Sequence, residues 1–251
     1  MKKPIIIANW KMNLSLSERE KLAYAIKEKN VTPQKYDMVI CPSSVSLIQI
    51  RDVIDGSGID LGAQDVFWEE TGAYTGEISP KILKDLNCKY AIVGHSERRQ
   101  HLGETDEMIN KKVEASIDNG LVPILCVGET RQERHENQTD NVILSQIRQD
   151  LKGVEIIGDE SLVIAYEPVW AIGSGEVVEP DEIDRVFTLI RQVLIDTYPL
   201  TIVENNVRMV YGGSVNPDNV DGFSKLKMLD GFLVGGASLD ADKFNKIAKT
   251  L

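Results

Sequence analysis

Residues 162–175 read LVIAYEPVWAIGSG. The first five, Leu162 to Tyr166, form an unbroken apolar run that stops at a carboxylate, Glu167, and a proline, Pro168. A strand with one wet face alternates apolar and polar residues. A strand buried on both faces does not, and such strands belong to parallel sheets covered by helices. The same kind of run returns in both directions along the chain, at 5–8, 38–41, 60–63, 90–93, 122–127, 208–211 and 231–234. Eight short buried strands are therefore expected.

Between the runs the spacing turns helical. Ser17 is placed to open a helix over 17–28, with Leu22, Tyr24, Ala25 and Ile26 at helical intervals. Thr105 opens another, with Asp106 and Glu107 in its first turn and Gly120 as its stop. Pro180, Asp181 and Glu182 begin a third, whose Ile183, Val186, Phe187, Ile190 and Val193 share one face. Asn216 and Pro217 read as the start of the last but one, and Asp240 heads the final helix. No proline-rich or glycine/serine-rich linker divides the chain, so residues 1–251 are read as a single domain. Eight alternating strand–helix units at this length fit an α/β closed (β/α)8 barrel better than an open doubly wound sheet.

Lysine and arginine number 28 against 39 aspartates and glutamates, a formal net charge of -11 at pH 7. That sign disfavours nucleic acid and anionic membranes as partners, so an anionic ligand must be attracted locally. Hydrophobic residues make up 42% of the chain, enough for a sizeable core. Three cysteines, Cys41, Cys88 and Cys126, contain no CxxC pair and argue for a reducing compartment. The opening apolar run is interrupted by Asn9 and Lys11 before it reaches signal-peptide length, and no stretch reaches the roughly 18 apolar residues of a membrane span. A cytoplasmic address is expected, and the sequons at Asn13 and Asn137 carry no weight there.

Chemistry-bearing residues follow the strands directly: Asn9 and Lys11, Gln64, His95 to Arg98, Glu167, Gly212-Gly213-Ser214, and Gly235-Gly236. In a barrel these strand ends share one rim, where catalysis is built from residues far apart in sequence. Glycines after the last two strands let backbone N–H groups approach a phosphate, although either pair alone also reads as an ordinary tight turn. Glu167 is a candidate base for abstracting a proton from carbon, since a drying site raises carboxylate basicity; its rival reading is a solvated loop glutamate. His95 lies at a strand end, where a hydrogen-bonded structural histidine is the competing reading. Residues 169–172, Val-Trp-Ala-Ile, are costly on a permanently open loop and read as a lid with glycine-containing ends at Gly173 and Gly175. Lys11 offers a local positive field, and no HExxH or Cys/His spacing suggests a metal.

Seven segments in register, ANWKMN, GAQDVFWEETGAYTGEIS, AIVGHSERR, LCVGET, AYEPVWAIGSG, YGGSVNP and VGGASL, resemble the triosephosphate isomerase family across nearly the whole chain. The resemblance implies a TIM barrel that interconverts dihydroxyacetone phosphate and D-glyceraldehyde 3-phosphate through an enediolate, in glycolysis and gluconeogenesis, with no cofactor and no metal. It makes Glu167 the base and His95 a neutral electrophile, its pKa lowered by a helix N-terminus. Lys11 and Asn9 become substrate-binding residues, with Lys11 also offsetting charge that develops in the reaction. Backbone groups of Gly173, Ser214, Gly235 and Gly236 become the phosphate cradle, and Ser96 and Glu97 the supports of Glu167 and Lys11. The long stretch 64–79, with Phe67, Trp68 and Tyr74, becomes the loop that docks into a second subunit of a homodimer, bringing Thr75 near the neighbour's Asn9 and Lys11.

The chain departs from the family pattern at the distal end of the lid, where Ser-Gly-Glu-Val-Val stands at 174–178 and many relatives carry Thr-Gly-Lys followed by small residues. Glu176 and Val177 thus bear on closing rates and not on reaction type. Cys126, at the family's usual cysteine position after the fifth strand, has apolar neighbours and reads as a packing residue. Two rivals stand beside this reading: another phosphosugar barrel enzyme, and a non-catalytic phosphate-binding barrel. A Schiff-base aldolase needs a lysine where the sixth strand instead ends in Glu167. Loss of Lys11, His95 or Glu167 would support the binding protein, and all three are present.

Overall fold

Strands β1 (Ile5–Asn9), β2 (Asp37–Cys41), β3 (Ile59–Ala63), β4 (Cys88–Val93), β5 (Val122–Val127), β6 (Leu162–Tyr166), β7 (Val207–Tyr211) and β8 (Gly231–Val234) lie parallel in chain order, and β8 pairs back onto β1. The expected closed barrel is thus present, in a computed structural model that describes residues 2–30, 34–156, 161–173, 176 and 178–251. Each strand is only four to six residues long, so alternation alone sorts its side chains. Ile5 and Ile7, Tyr90 and Ile92, Ile124 and Cys126, and Val163 and Ala165 point into the barrel. Their neighbours Ile6 and Ala8, Ala91 and Val93, Leu125 and Val127, and Leu162 and Ile164 point outward against the helices. Both sets are buried, which is why the runs carry no polar alternation.

The outer layer is α1 (Leu16–Lys29), α2 (Leu47–Ile54), α3 (Pro80–Asp85), α4 (Ser96–Leu102), α5 (Asp106–Asp118), α6 (Arg131–His135), α7 (Thr139–Asp150), α8 (Pro180–Thr197), α9 (Leu200–Asn206), α10 (Val220–Phe223) and α11 (Ala241–Ala248). Thr105 caps α5 through its side chain, with Gly120 in the left-handed region just beyond its end, and Pro180 is the first residue of α8. Asp240 caps α11 by accepting from the backbone N–H groups of Asp242 and Lys243.

Two expected helix starts move. The first helix is capped by Ser15, not Ser17: the Ser15 hydroxyl accepts from the Glu18 N–H while the Glu18 carboxylate accepts from the Ser15 N–H at 2.7 Å. Ser17 with Glu20 has the same spacing, so the sequence offered two capping boxes, and Leu14, at φ 66°, ends the loop in time for the earlier one. The segment at Asn216 is a turn, because the Asn216 side chain accepts from the backbone N–H groups of Asp218 and Asn219. That local bonding delays the helix to Val220. Cys126 lies within β5 instead of after it.

At the N-terminal end of the barrel a guanidinium fills the axis. Arg208, in β7 and 1% exposed, pairs with Asp37 at 2.7 Å and donates to the Tyr90 hydroxyl at 3.0 Å and the Lys3 carbonyl at 3.2 Å. Arginine in an otherwise apolar strand is tolerated there because its donors find built-in acceptors.

Candidate active site

At the opposite rim, Asn9, Lys11, His95, Glu167, Gly173, Ser214, Gly235 and Gly236 line one cavity of about 260 Å3. These are residues of five separate strand ends or of the loops that follow them, and the parallel strands deliver them to the same place. Ser96, Glu97 and Thr75 lie outside that cavity: Ser96 and Glu97 form the first turn of α4 beneath it, and Thr75 is exposed on the 64–79 loop.

Glu167 follows β6 and is 2% exposed. Its Oε2 accepts from the Ser96 N–H at 3.0 Å, and its Oε1 lies 3.0 Å from His95 Nε2. Burial pushes its pKa up, but the neighbouring His95, which faces it through Nε2, the Ser96 N–H and the charge of Lys11 together hold it below the usual carboxylate value. The expectation that desolvation raises this pKa is therefore corrected for the docked position, where donors outweigh burial. Backbone access to this spot is tight. A Cβ at Gly128 would meet the Glu167 carbonyl oxygen at 1.7 Å, and one at Gly212 would meet Glu167 Cγ at 3.0 Å.

His95 is the N-cap residue of α4, and its Nδ1 accepts from the Glu97 N–H at 3.2 Å. A nitrogen that accepts cannot also carry a proton, so this bond assigns the proton of a neutral ring to Nε2, the nitrogen facing Glu167. The expected lowering of the histidine pKa is not what this arrangement produces. Burial lowers it, but the Glu167 carboxylate beside Nε2 raises it further, and the net shift is upward. The cause is the docked carboxylate.

Lys11 has φ 51°, a conformation that costs a non-glycine residue strain. Three bonds hold it: the Lys11 N–H donates to Asn9 Oδ1 at 3.1 Å, the Gln64 side chain donates to the Lys11 carbonyl at 3.0 Å, and Lys11 Nζ pairs with Glu97 Oε1 at 2.6 Å. Gln64 also donates to the Cys41 carbonyl at 2.9 Å, so it braces the ends of two strands. Sequence reading placed Gln64 at the rim but gave it no role.

Glu129 was missed altogether. It is fully buried after β5 and accepts from the Trp170 indole at 2.8 Å and from the Tyr166 hydroxyl at 3.2 Å. Arg134 stacks on the Trp170 ring, 3.9 Å from its centroid, with Nη1 3.7 Å from Glu129 Oε1. The apolar stretch 169–171 is thus a short helical turn docked on the barrel. Ser174, Gly175 and Val177 of the lid lie outside the described residues. The sequence signal for Glu129 was present: a carboxylate directly after Gly128 at a strand end.

Cys126 faces the barrel interior with 1% exposure, and burial together with the neighbouring Glu167 charge pushes its thiol well above the usual value. A thiol so held is not a nucleophile at neutral pH. His101 and His135 are exposed. No helix among the described residues is long and apolar enough to cross a membrane.

Beyond the geometry, residues 4–251 match the family model for triosephosphate isomerase. Among curated relatives, the triosephosphate isomerase of Dictyoglomus thermophilum is 46% identical over the full length of both chains. That of Caldanaerobacter subterraneus subsp. tengcongensis is 48% identical over 98% of this chain and 99% of its own. That of Endomicrobium trichonymphae is 45% identical over 99% of each. A closed barrel whose rim cavity gathers these residues and a likeness that spans the chain end to end point the same way, and this chain belongs to the triosephosphate isomerase family.

Proposed function

We propose that the chain interconverts dihydroxyacetone phosphate and D-glyceraldehyde 3-phosphate, as the names of its relatives indicate, and so serves glycolysis and gluconeogenesis. The observation that carries the reading is the meeting of Glu167 with a proton-bearing His95 nitrogen in a cavity lined by backbone glycines. Glu167 takes a proton from the hydroxyl-bearing carbon and returns it to the neighbouring carbon, so the isomerisation gains and loses no atoms. His95, donating from Nε2, polarises the carbonyl and passes a proton between the two oxygens of the enediolate. Lys11 offsets the negative charge of phosphate and enediolate, and Asn9 shapes its backbone.

The docked Glu167 is a resting base. Its low pKa keeps it ionised, and leaving the Ser96 N–H and His95 for the substrate removes the donors that hold it down. Burial then dominates and raises its basicity when it is needed. Gly173, Ser214, Gly235 and Gly236 supply backbone N–H groups to the phosphate, and lid closure keeps water from the enediolate, which would otherwise lose phosphate. A metal-free coupled assay with glyceraldehyde 3-phosphate tests the proposal. Rapid turnover is expected; an inert protein at saturating substrate sinks it in favour of a phosphate-binding barrel.

A homodimer completes the site. Phe67 stacks on Trp68 with centroids 4.0 Å apart and meets Tyr74 at 4.7 Å, which stiffens a loop that projects from the barrel. Met12, 94% exposed, and Leu102, 63% exposed, line a second cavity beside Asn9, Lys11 and His95, and this is where the partner's loop is read to enter. Activity per chain is expected to fall on dilution in step with dissociation measured by sedimentation. A fully active monomer would refute the shared site.

A further inference from the structure

α1 buries one face through Arg19, Leu22, Ala23 and Ile26, spaced i, i+3, i+4 and i+7. Three of the four suit a core-facing stripe, and the other is a guanidinium only 7% exposed. Taking a guanidinium out of water is costly unless acceptors meet it, and an apolar side chain would pack there without that penalty. Among the described residues Arg19 has no carboxylate partner, and its donors go to neutral groups. Nε and Nη2 both donate to the Asn13 carbonyl, at 3.0 and 2.9 Å, and Nη1 donates to the Ser46 hydroxyl at 3.3 Å.

What this guanidinium holds is the turn that carries Lys11. Trp10, fully buried, anchors the near end of the turn, and the backbone and side-chain N–H groups of Asn13 both fold back onto the Trp10 carbonyl, at 3.3 and 2.9 Å. Lys11 and Leu14, on either side of Asn13, are both left-handed, with φ 51° and 66°. Non-glycine residues leave that region when nothing restrains them. Gln64 restrains the Lys11 carbonyl from the barrel side, and Arg19 reaches back six residues to restrain the Asn13 carbonyl from the helix side. The Ser15 capping box fixes the first turn of α1, and Ser46, which donates to the Ser43 carbonyl at 3.0 Å, ties the guanidinium to the turn after β2. Arg19 itself does not line the rim cavity.

We propose that Arg19 is a positioning residue for the isomerisation: it holds the 10–14 turn so that Lys11 keeps the left-handed backbone that delivers its ammonium to the rim cavity. The proposal rests on the reading of Lys11 as the cation that meets phosphate and enediolate. A turn released from Arg19 drifts toward the ordinary φ < 0 regions, and apparent affinity falls with the fraction of molecules that keep the competent turn. A single unrestrained left-handed residue is populated about 5- to 30-fold less than its right-handed alternative. The upper figure bounds the loss, since Asn9 and Gln64 still hold Lys11.

The test is a double-mutant cycle between Arg19 and Lys11 on the intact protein, read by titration with glycerol 3-phosphate, which binds without reacting. Arg19→Met is expected to bind it about fivefold more weakly than the parent and no more than roughly 30-fold. In a Lys11→Met background the same change is expected to have no further effect, because the residue it positions is gone. An affinity equal to the parent's, or a loss that persists without Lys11, marks Arg19 as merely structural and overturns the proposal. Arg19→Lys keeps the charge but not the fork on the Asn13 carbonyl, so it should fall between the parent and Arg19→Met, and it carries the same cycle if the methionine variant does not fold. Hydrogen exchange separates the proposal from the functional reading: exchange over residues 9–14 should quicken in the Arg19 variants while the barrel strands keep their protection. If the parent binds no glycerol 3-phosphate, the triose phosphate reading fails and exchange alone decides, with unchanged protection over 9–14 overturning the positioning role.

Discussion

Glu167→Gln lowers isomerase turnover by about 10²- to 10⁴-fold or more, the range expected when a general base is lost. The amide keeps the volume and one oxygen, so the variant can still sit near His95 and the Ser96 N–H, and the fold should be unchanged by circular dichroism. What it cannot do is accept a proton from carbon. Glycerol 3-phosphate should bind the variant within a few-fold of the parent, since the proposed phosphate contacts come from backbone groups other than Glu167 in the cavity. The expected signature is a collapse of kcat with a small change in KM, the pattern for a group used only in the transition state. A variant that turns over at the parent rate would remove Glu167 from the role of base and leave His95 as the next candidate.

The second large effect is on stability. Arg208→Ala is expected to cost about 3 kcal/mol in urea unfolding, because it removes the buried partner of the Asp37 carboxylate, leaving it with Lys3 alone, and strands the Tyr90 hydroxyl at the vacated end of the barrel. The acid response of the parent follows from the same pair. Burial raises the Asp37 pKa, but hydrogen bonds and charge from Lys3 and Arg208 outweigh it and hold the group below its usual value. A carboxylate with a depressed folded pKa contributes stability above its unfolded value of about 4 and loses that contribution as pH falls through the folded value. The urea midpoint of the parent should therefore drop with acid below about pH 4. In Arg208→Ala this part of the acid dependence should shrink. An unchanged midpoint in the variant at pH 7 would refute the structural role.

The barrel was legible because every strand is buried on two faces, and a run such as Leu162 to Tyr166 cannot be anything wetter. Strand starts were less so. Asp37 begins β2 but carries a charge whose partner, Arg208, lies 171 residues away, and no local pattern announces such a pairing. The first helix was placed two residues late because Ser15 and Ser17 offer the same capping box, and only the left-handed turn at Leu14 decides between them. Site residues were legible as polar or glycine interruptions directly after apolar strands, which found Asn9, Lys11, His95 and Glu167. The protonation picture was not legible. It depends on where the Glu167 carboxylate rests, and that is set by a contact with Ser96 across 71 residues. The support given to Lys11 by Gln64, and to Trp170 by Glu129, has the same long-range origin.

Parallel strands sort this molecule into two ends: Arg208, Asp37 and Tyr90 close one, and Glu167, His95 and Lys11 open the other. Little connects them except the rigid interior, whose side chains are already packed. Heat tolerance and catalytic speed are thereby written in different places, and a lineage can revise one without renegotiating the other. A protein adapting to a new temperature could rework the charged plug and the turns around it while leaving its chemistry untouched.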